Sequence, residues 1–194
     1  PTPDRFFEQP EAINGHTASY DRAVLAAGRW SLAAVKGGPD SLDNGGLAIG
    51  LGGAVTETIL RDATNGYLHS AFTLIDNGLR LISGGNDGTL IQYFSATGRQ
   101  AGEFRNGHAG EIHAMAVSEK ANLLITGSAD QTLRLWNLKT RELIVSMLFA
   151  GKEWVVWMPQ GYYYSSDEGD ALIGWHVNQG RAKEGRFVRA GQLK

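Results

Sequence analysis

Cysteine is absent from all 194 residues, which excludes thiol nucleophiles, disulfides and thiolate zinc sites and leaves the redox compartment undetermined. Basic charge is not in excess either. The 18 Lys and Arg stand against 20 Asp and Glu, a formal net charge of −2, so the positive footprint of a nucleic-acid-binding surface is missing and no nucleic-acid partner is expected. No apolar run approaches the roughly 18 to 20 residues of a membrane-spanning helix, and no charged-then-apolar leader opens the sequence, so no membrane partner is expected and the expected location is cytoplasmic. Proline is scarce, five in all, and the first 14 residues (PTPDRFFEQPEAIN) hold Pro1, Pro3 and Pro10 with no clear period. Residues 1–15 therefore read as an arm or linker.

Glycine, by contrast, is plentiful. The 26 glycines suit a chain of short strands joined by tight turns better than a helical one. Strand-like runs of alternating or continuous apolar residues recur along the chain, and the clearest pair superimposes without a gap. LRLISGGNDGTLIQYF (Leu79 to Phe94) lines up with NLLITGSADQTLRLWN (Asn122 to Asn137) at a shift of about 43 residues. Ser83 then falls on Thr126, Asp87 on Asp130 and Tyr93 on Trp136, while Asn65 takes the place of His108. A weaker copy sets Ser165 on Thr126 and Trp175 on Trp136 at a shift of about 39, with Gly169 in place of the turn aspartate.

The stretch from Asn106 to Thr140 contains a further polar set. If the turn at Ala129 to Gln131 joins two antiparallel strands, Asp130 accepts from His108, His108 reaches Thr126, and Thr126 meets the Trp136 indole N–H. Four groups that would otherwise be buried unpaired then satisfy one another. This stretch resembles a WD repeat, the four-stranded blade of a β-propeller. It departs from that pattern at Asn137, where the name-giving dipeptide has aspartate. The resemblance makes His108, Thr126, Asp130 and Trp136 a structural tetrad instead of a catalytic relay.

The expected fold is therefore all-β, with about four blades of four antiparallel strands over residues 16–194: about 20–62, 66–105, 108–151 and 152–191. The WD family usually closes its ring with seven or eight. The chain also begins at Pro1 without methionine and stops straight after RFVRAG. Both points suggest a half or fragment of a ring, completed by another segment of a longer polypeptide or by a second chain. The last unit, EWVVWMPQGYYYSSDEGDALIGWHVNQG, resembles the terminal blade of bacterial WD-repeat propellers joined to caspase-like peptidase domains, which implies a caspase-like peptidase as a partner. This chain itself has no cysteine for such chemistry.

No catalytic, cofactor or metal site is expected. Asp40, Asp43 and Asn44 offer hard oxygens for calcium, but they lack a full ligand series and a closing glutamate, so they also read as a solvated turn. Ser165, Ser166, Asp167 and His176 lack a nucleophile elbow. Gly50 to Ala54 and the SGGNDG turn precede no helix that would aim backbone N–H groups at a phosphate. Trp154, Trp157, Tyr162, Tyr163, Tyr164 and Trp175 divide between core packing and interface anchoring, with alternation sending Trp157 and Tyr163 to one face. WD propellers generally take protein or peptide ligands at the mouth of the central channel. The resemblance puts Tyr67, His69, Glu111, His113, Glu153 and Trp154 at that rim, an ordinary wet rim being the plainer reading. The leading expectation is a non-enzymatic protein–protein interaction scaffold or sensor; the alternative is a propeller hydrolase or small-ligand-binding enzyme with its site at the channel mouth.

Overall fold

A computed structural model describes residues 23–38, 43–178, 180 and 184–193. The expected arm, residues 1–15, lies outside them. The first sheet runs β1 (Ala26–Ala27), β2 (Trp30–Val35), β3 (Gly46–Leu51) and β4 (Ala54–Leu60), paired in that order. The second follows as β5 (His69–Ile75), β6 (Arg80–Gly85), β7 (Leu90–Phe94) and β8 (Gln100–Glu103), again in chain order. A third contains β9 (Ile112–Ser118), β10 (Leu123–Ser128), β11 (Thr132–Asn137) and β12 (Leu143–Ala150). Every pairing is antiparallel, and consecutive strands are neighbours, as in successive propeller blades.

The internal repeat reappears as register. Leu81 lies opposite Tyr93 in the second sheet, and Leu124 lies opposite Trp136 in the third. Because side chains alternate between sheet faces, adjacent residues of one strand serve different cores. Leu81, Ile91 and Tyr93 turn back to meet Leu32, Leu47, Ile49 and Ile59 of the first sheet. Their neighbours Ile82 and Leu90, with Ile75 and Phe104, turn forward onto Ile112, Leu124 and Trp136 of the third. Each fully buried aliphatic side chain contributes about 1.5–3 kcal/mol of apolar transfer free energy, so the sheets are held face to face chiefly by these two cores. Phe104 meets Trp136 edge-on, ring centroids 5.8 Å apart.

The C-terminal quarter departs from the expected fourth blade over 152–191. β13 (Glu153–Trp157) does not open a new sheet: it pairs with β12, and β14 (Tyr163–Ser165) pairs with β13, extending the third sheet to six strands. β15 (Gly174–Val177) and β16 (Arg186–Arg189) form a separate two-stranded sheet. The cause lies in the turn. Ala150 pairs with Glu153, so only Gly151 and Lys152 separate β12 from β13, and Gly151 has φ +65°. A two-residue loop with a left-handed first position closes a hairpin. Crossing from an outer strand to the next inner one takes Arg61 to Leu68 after β4 and Phe104 to Glu111 after β8.

Candidate functional site

The polar set of the third sheet is assembled around Thr126. The Trp136 indole N–H donates to Thr126 Oγ1 at 2.9 Å, and Thr126 Oγ1 lies 2.7 Å from His108 Nε2. The hydroxyl therefore spends its own proton on Nε2, which leaves His108 Nδ1–H to donate to Asp130 Oδ2 at 2.9 Å. Asp130 also accepts from the Ala109 N–H, the Thr132 N–H and the Thr132 hydroxyl, and Arg134 Nη2 stands 3.4 Å away. Burial alone would raise the Asp130 pKa, but these donors outweigh it and hold the carboxyl well below its usual range. Burial lowers the His108 pKa, the Asp130 contact only partly offsetting it, so the pair is a neutral imidazole beside a carboxylate. Both Thr126 and Trp136 are fully buried. The arrangement pins the Asn106–Gly110 loop to the sheet, and Arg134 Nη1 adds bonds to the Asn106 and Gly107 carbonyls.

The second sheet solves the same problem with different residues. Asp87 accepts from the Thr89 N–H and hydroxyl, paralleling Asp130 and Thr132. The imidazole's place is filled from another direction by the buried Arg61, which donates to the carbonyls of Asn65 and Ser83 and to Thr89 Oγ1. Asn65, aligned with His108 by sequence, supplies its carbonyl there, while its side-chain oxygen takes the Asp62 N–H. Burial lowers the Arg61 pKa, opposed by Tyr93, Asp87 and Glu103. Nothing local in the sequence signals this role for Arg61, since it follows the strand β4 and acts on a loop of the next sheet.

The six residues expected at the channel rim part company. Tyr67 is 59% exposed, and His113 is exposed and lines a groove of about 420 Å³ along the inner strands together with Leu25, Ser70, Phe72 and Met115. Glu111 is half-buried beside the Asp130 turn, its carbonyl accepting from the Ala129 N–H. His69 is a correction: it is 1% exposed and presents nothing to a partner. Its Nε2–H donates to the Ile59 carbonyl at 3.1 Å and its Nδ1 accepts from Ser83 Oγ at 2.7 Å. Burial, then the Arg61 charge, pushes its pKa down to about 4, the Ile59 bond opposing. Glu153 and Trp154 are a second correction. Since β13 joins the outer edge of the third sheet, they stand far from any inner strand; Glu153 accepts from Ser166 Oγ at 2.6 Å, and the Trp154 ring packs on Tyr164 with centroids 5.4 Å apart.

Ser166 is committed to Glu153 and to the Trp154 N–H, Asp167 is exposed, and the side chain of His176 lies outside the described residues. Asp40 also lies outside them; Asp43 pairs with Lys36 at 3.5 Å, and the Asn44 carbonyl accepts from the His69 N–H. Trp157 and Tyr163 are cross-strand partners on one face, as alternation requires, and line a cleft of about 570 Å³ with Pro159, Ile173, Gly174 and Phe187. Tyr162 is exposed, and nothing is described of the Trp175 ring. No helix among the described residues is long and apolar enough to cross a membrane.

Comparison with known proteins bears on these observations. Residues 98–137 match the family described as WD domain, G-beta repeat. Over 68 residues the chain is 46% identical to eukaryotic translation initiation factor 3 subunit I of Aspergillus oryzae, covering 35% of this chain and 20% of that protein. It is 27% identical over 118 residues to the guanine nucleotide-binding protein subunit beta of Zea mays, covering 56% and 31% respectively. The chain thus spans about a fifth of the length of the first of these relatives. In fold it is similar to the computationally designed Ika4 protein, with a TM-score of 0.50 and 18% identity, over 80% of this chain and 94% of that one. Together with the sheet order these findings support WD-repeat propeller blades; the relatives named are eukaryotic.

Proposed function

We propose that the chain is a non-enzymatic interaction segment of a WD-repeat propeller, which binds protein or peptide and is completed by further blades supplied in cis or in trans. One observation carries this reading: the third sheet buries one face against the second, and among the described residues no further sheet packs on the other. Leu133, in mid-strand, is 38% exposed, and Phe149 on the same face is 53% exposed. A sheet face with large apolar side chains in the open is a site for another layer. Of the groups with shifted proton affinity, Arg61, His69, His108 and Asp130 are each committed to partners inside the sheets, which favours a scaffold over a channel-mouth hydrolase. The relatives' names, a translation initiation factor subunit and a G-protein subunit, fit a part that works inside a larger assembly. A caspase-like peptidase as the joined domain, in a bacterial setting, rests on the resemblance of residues 153–180 alone.

Sedimentation velocity of the isolated chain tests the reading. Across about 1 to 100 µM, the range of ordinary transient interfaces, the chain is expected to self-associate. A compact monomer throughout that range overturns it.

A further inference from the structure

The C-terminal residues carry two plans at once. β13–β14 repeats the register of β9–β10: Val155 lies opposite Ser165 as Met115 lies opposite Thr126, and Trp157 lies opposite Tyr163 as Val117 lies opposite Leu124. β15 and β16 then stand where the third and fourth strands of a blade belong in chain order, and they too are paired antiparallel. All four strands of a fourth blade are thus formed, as two hairpins. What is missing is the seam between β14 and β15, and the cleft of about 570 Å³ lies at that seam, lined from one hairpin by Trp157 and Tyr163 and from the other by Gly174 and Phe187.

β12 shows why the seam is open. It has eight residues where β8 has four, and the surplus, Met147 to Ala150, makes all but one of the pairings with β13, Ser146 opposite Trp157 being the other. In the second sheet the corresponding stretch begins the crossing at Phe104, whose ring is buried against the next sheet's tryptophan. The face of the third sheet that such a crossing would cover carries Ile125, Leu133, Leu135 and Met147. Their counterparts in the second sheet are Ile82, Leu90, Gln92 and Phe104, every one of them buried.

We propose that residues 147–189 are a split fourth blade: when β13 leaves β12, Met147–Lys152 becomes the crossing, and the two hairpins join along β14 and β15 against the open face of the third sheet. Each form offers the apolar residues a different burial, so the two differ by the exchange of one strand seam for another plus that face. A partner that packs only on the complete blade would draw the chain into it, by its differential affinity for the two forms.

The test uses the whole chain, alone and dilute, so that it does not depend on ring completion. In a closed blade Ser165 and Ile173 would be cross-strand partners, as Thr126 and Arg134 are. Ser165→Cys with Ile173→Cys, in a chain otherwise free of thiols, is expected to oxidise to the disulfide in a glutathione buffer, read by intact mass. Amide exchange in residues 149–157 should then rise about tenfold or more as β13 gives up β12. A pair that stays reduced under native conditions overturns the proposal, as does a disulfide that forms without that release. Should the double variant fail to fold, exchange in the unsubstituted chain decides: residues 147–157 are expected to open as a unit, giving two-population isotope envelopes. A single envelope with protection equal to that of residues 123–128 overturns it.

Discussion

Replacing Thr126 with valine removes one oxygen and almost no volume, yet it breaks two hydrogen bonds at once. The Trp136 indole N–H loses its acceptor at 2.9 Å and His108 Nε2 loses its donor at 2.7 Å. Both groups stay buried. An unsatisfied buried donor or acceptor costs about 1–3 kcal/mol, so the pair together predicts a loss of about 2–6 kcal/mol. In urea, with a slope of about 1–3 kcal/mol per molar, the midpoint should fall by about 1–2 M with the slope unchanged. Far-UV circular dichroism is the right signal, because the fluorescence of Trp136 would itself respond to the change. Thr126→Ser is the control: it keeps both bonds, deletes one methyl, and should cost about 1 kcal/mol. Were Thr126→Val to shift stability by less than about 0.5 kcal/mol, or by no more than Thr126→Ser, the four-residue set would not be holding the sheet together.

Three more outcomes follow from the same geometry. His69 is neutral when folded and its folded pKa, about 4, lies below the ordinary 6.5; protonation therefore favours the unfolded chain, and stability should fall as pH drops from about 6.5 to 4, by on the order of 3 kcal/mol from this group, a part of the slope that His69→Gln should remove while the part due to His108 persists. Arg61→Met keeps the apolar stem but strands the carbonyls of Asn65 and Ser83, a loss of about 1–3 kcal/mol by chemical denaturation, with the His69 pKa rising toward its ordinary value in an NMR titration. Gly88 has φ +89°, and a Cβ there would lie 2.0 Å from the His108 carbonyl oxygen, so Gly88→Ala should destabilise by more than the roughly 1 kcal/mol of a left-handed residue alone and should loosen the Asn106–Gly110 loop in amide exchange.

The parts of this fold that were legible in sequence are those whose partners lie within one repeat. His108, Thr126, Asp130 and Trp136 fall inside 29 consecutive positions of the sequence; a short turn joins the strands that carry Thr126 and Trp136, and the resemblance to a WD repeat brought in His108, which precedes β9. The ungapped alignment set Tyr93 on Trp136, and the two residues hold equivalent places in the register, opposite Leu81 and Leu124. His69 was misplaced although the signal was available: carried forward by the same shift it falls on Ile112, a core residue with no exposed surface. Arg61 was invisible because its partners Ser83 and Thr89 belong to another sheet, where no local period can point. Glu153 and Trp154 were drawn to an inner strand by the repeat length. Gly151-Lys152 carried the competing instruction, a hairpin, and the shorter-range rule won.

The second and third sheets pack as neighbours through Ile82, Leu90, Phe104 and Trp136, and a double-mutant cycle reads that contact directly. Phe104→Leu, Trp136→Phe and the pair are compared by urea denaturation. With the rings edge-on at 5.8 Å, a coupling of about 0.5–1.5 kcal/mol is expected. Free energies that add to within about 0.3 kcal/mol would mean that the two rings do not meet, and the stacked-sheet architecture would fall with them.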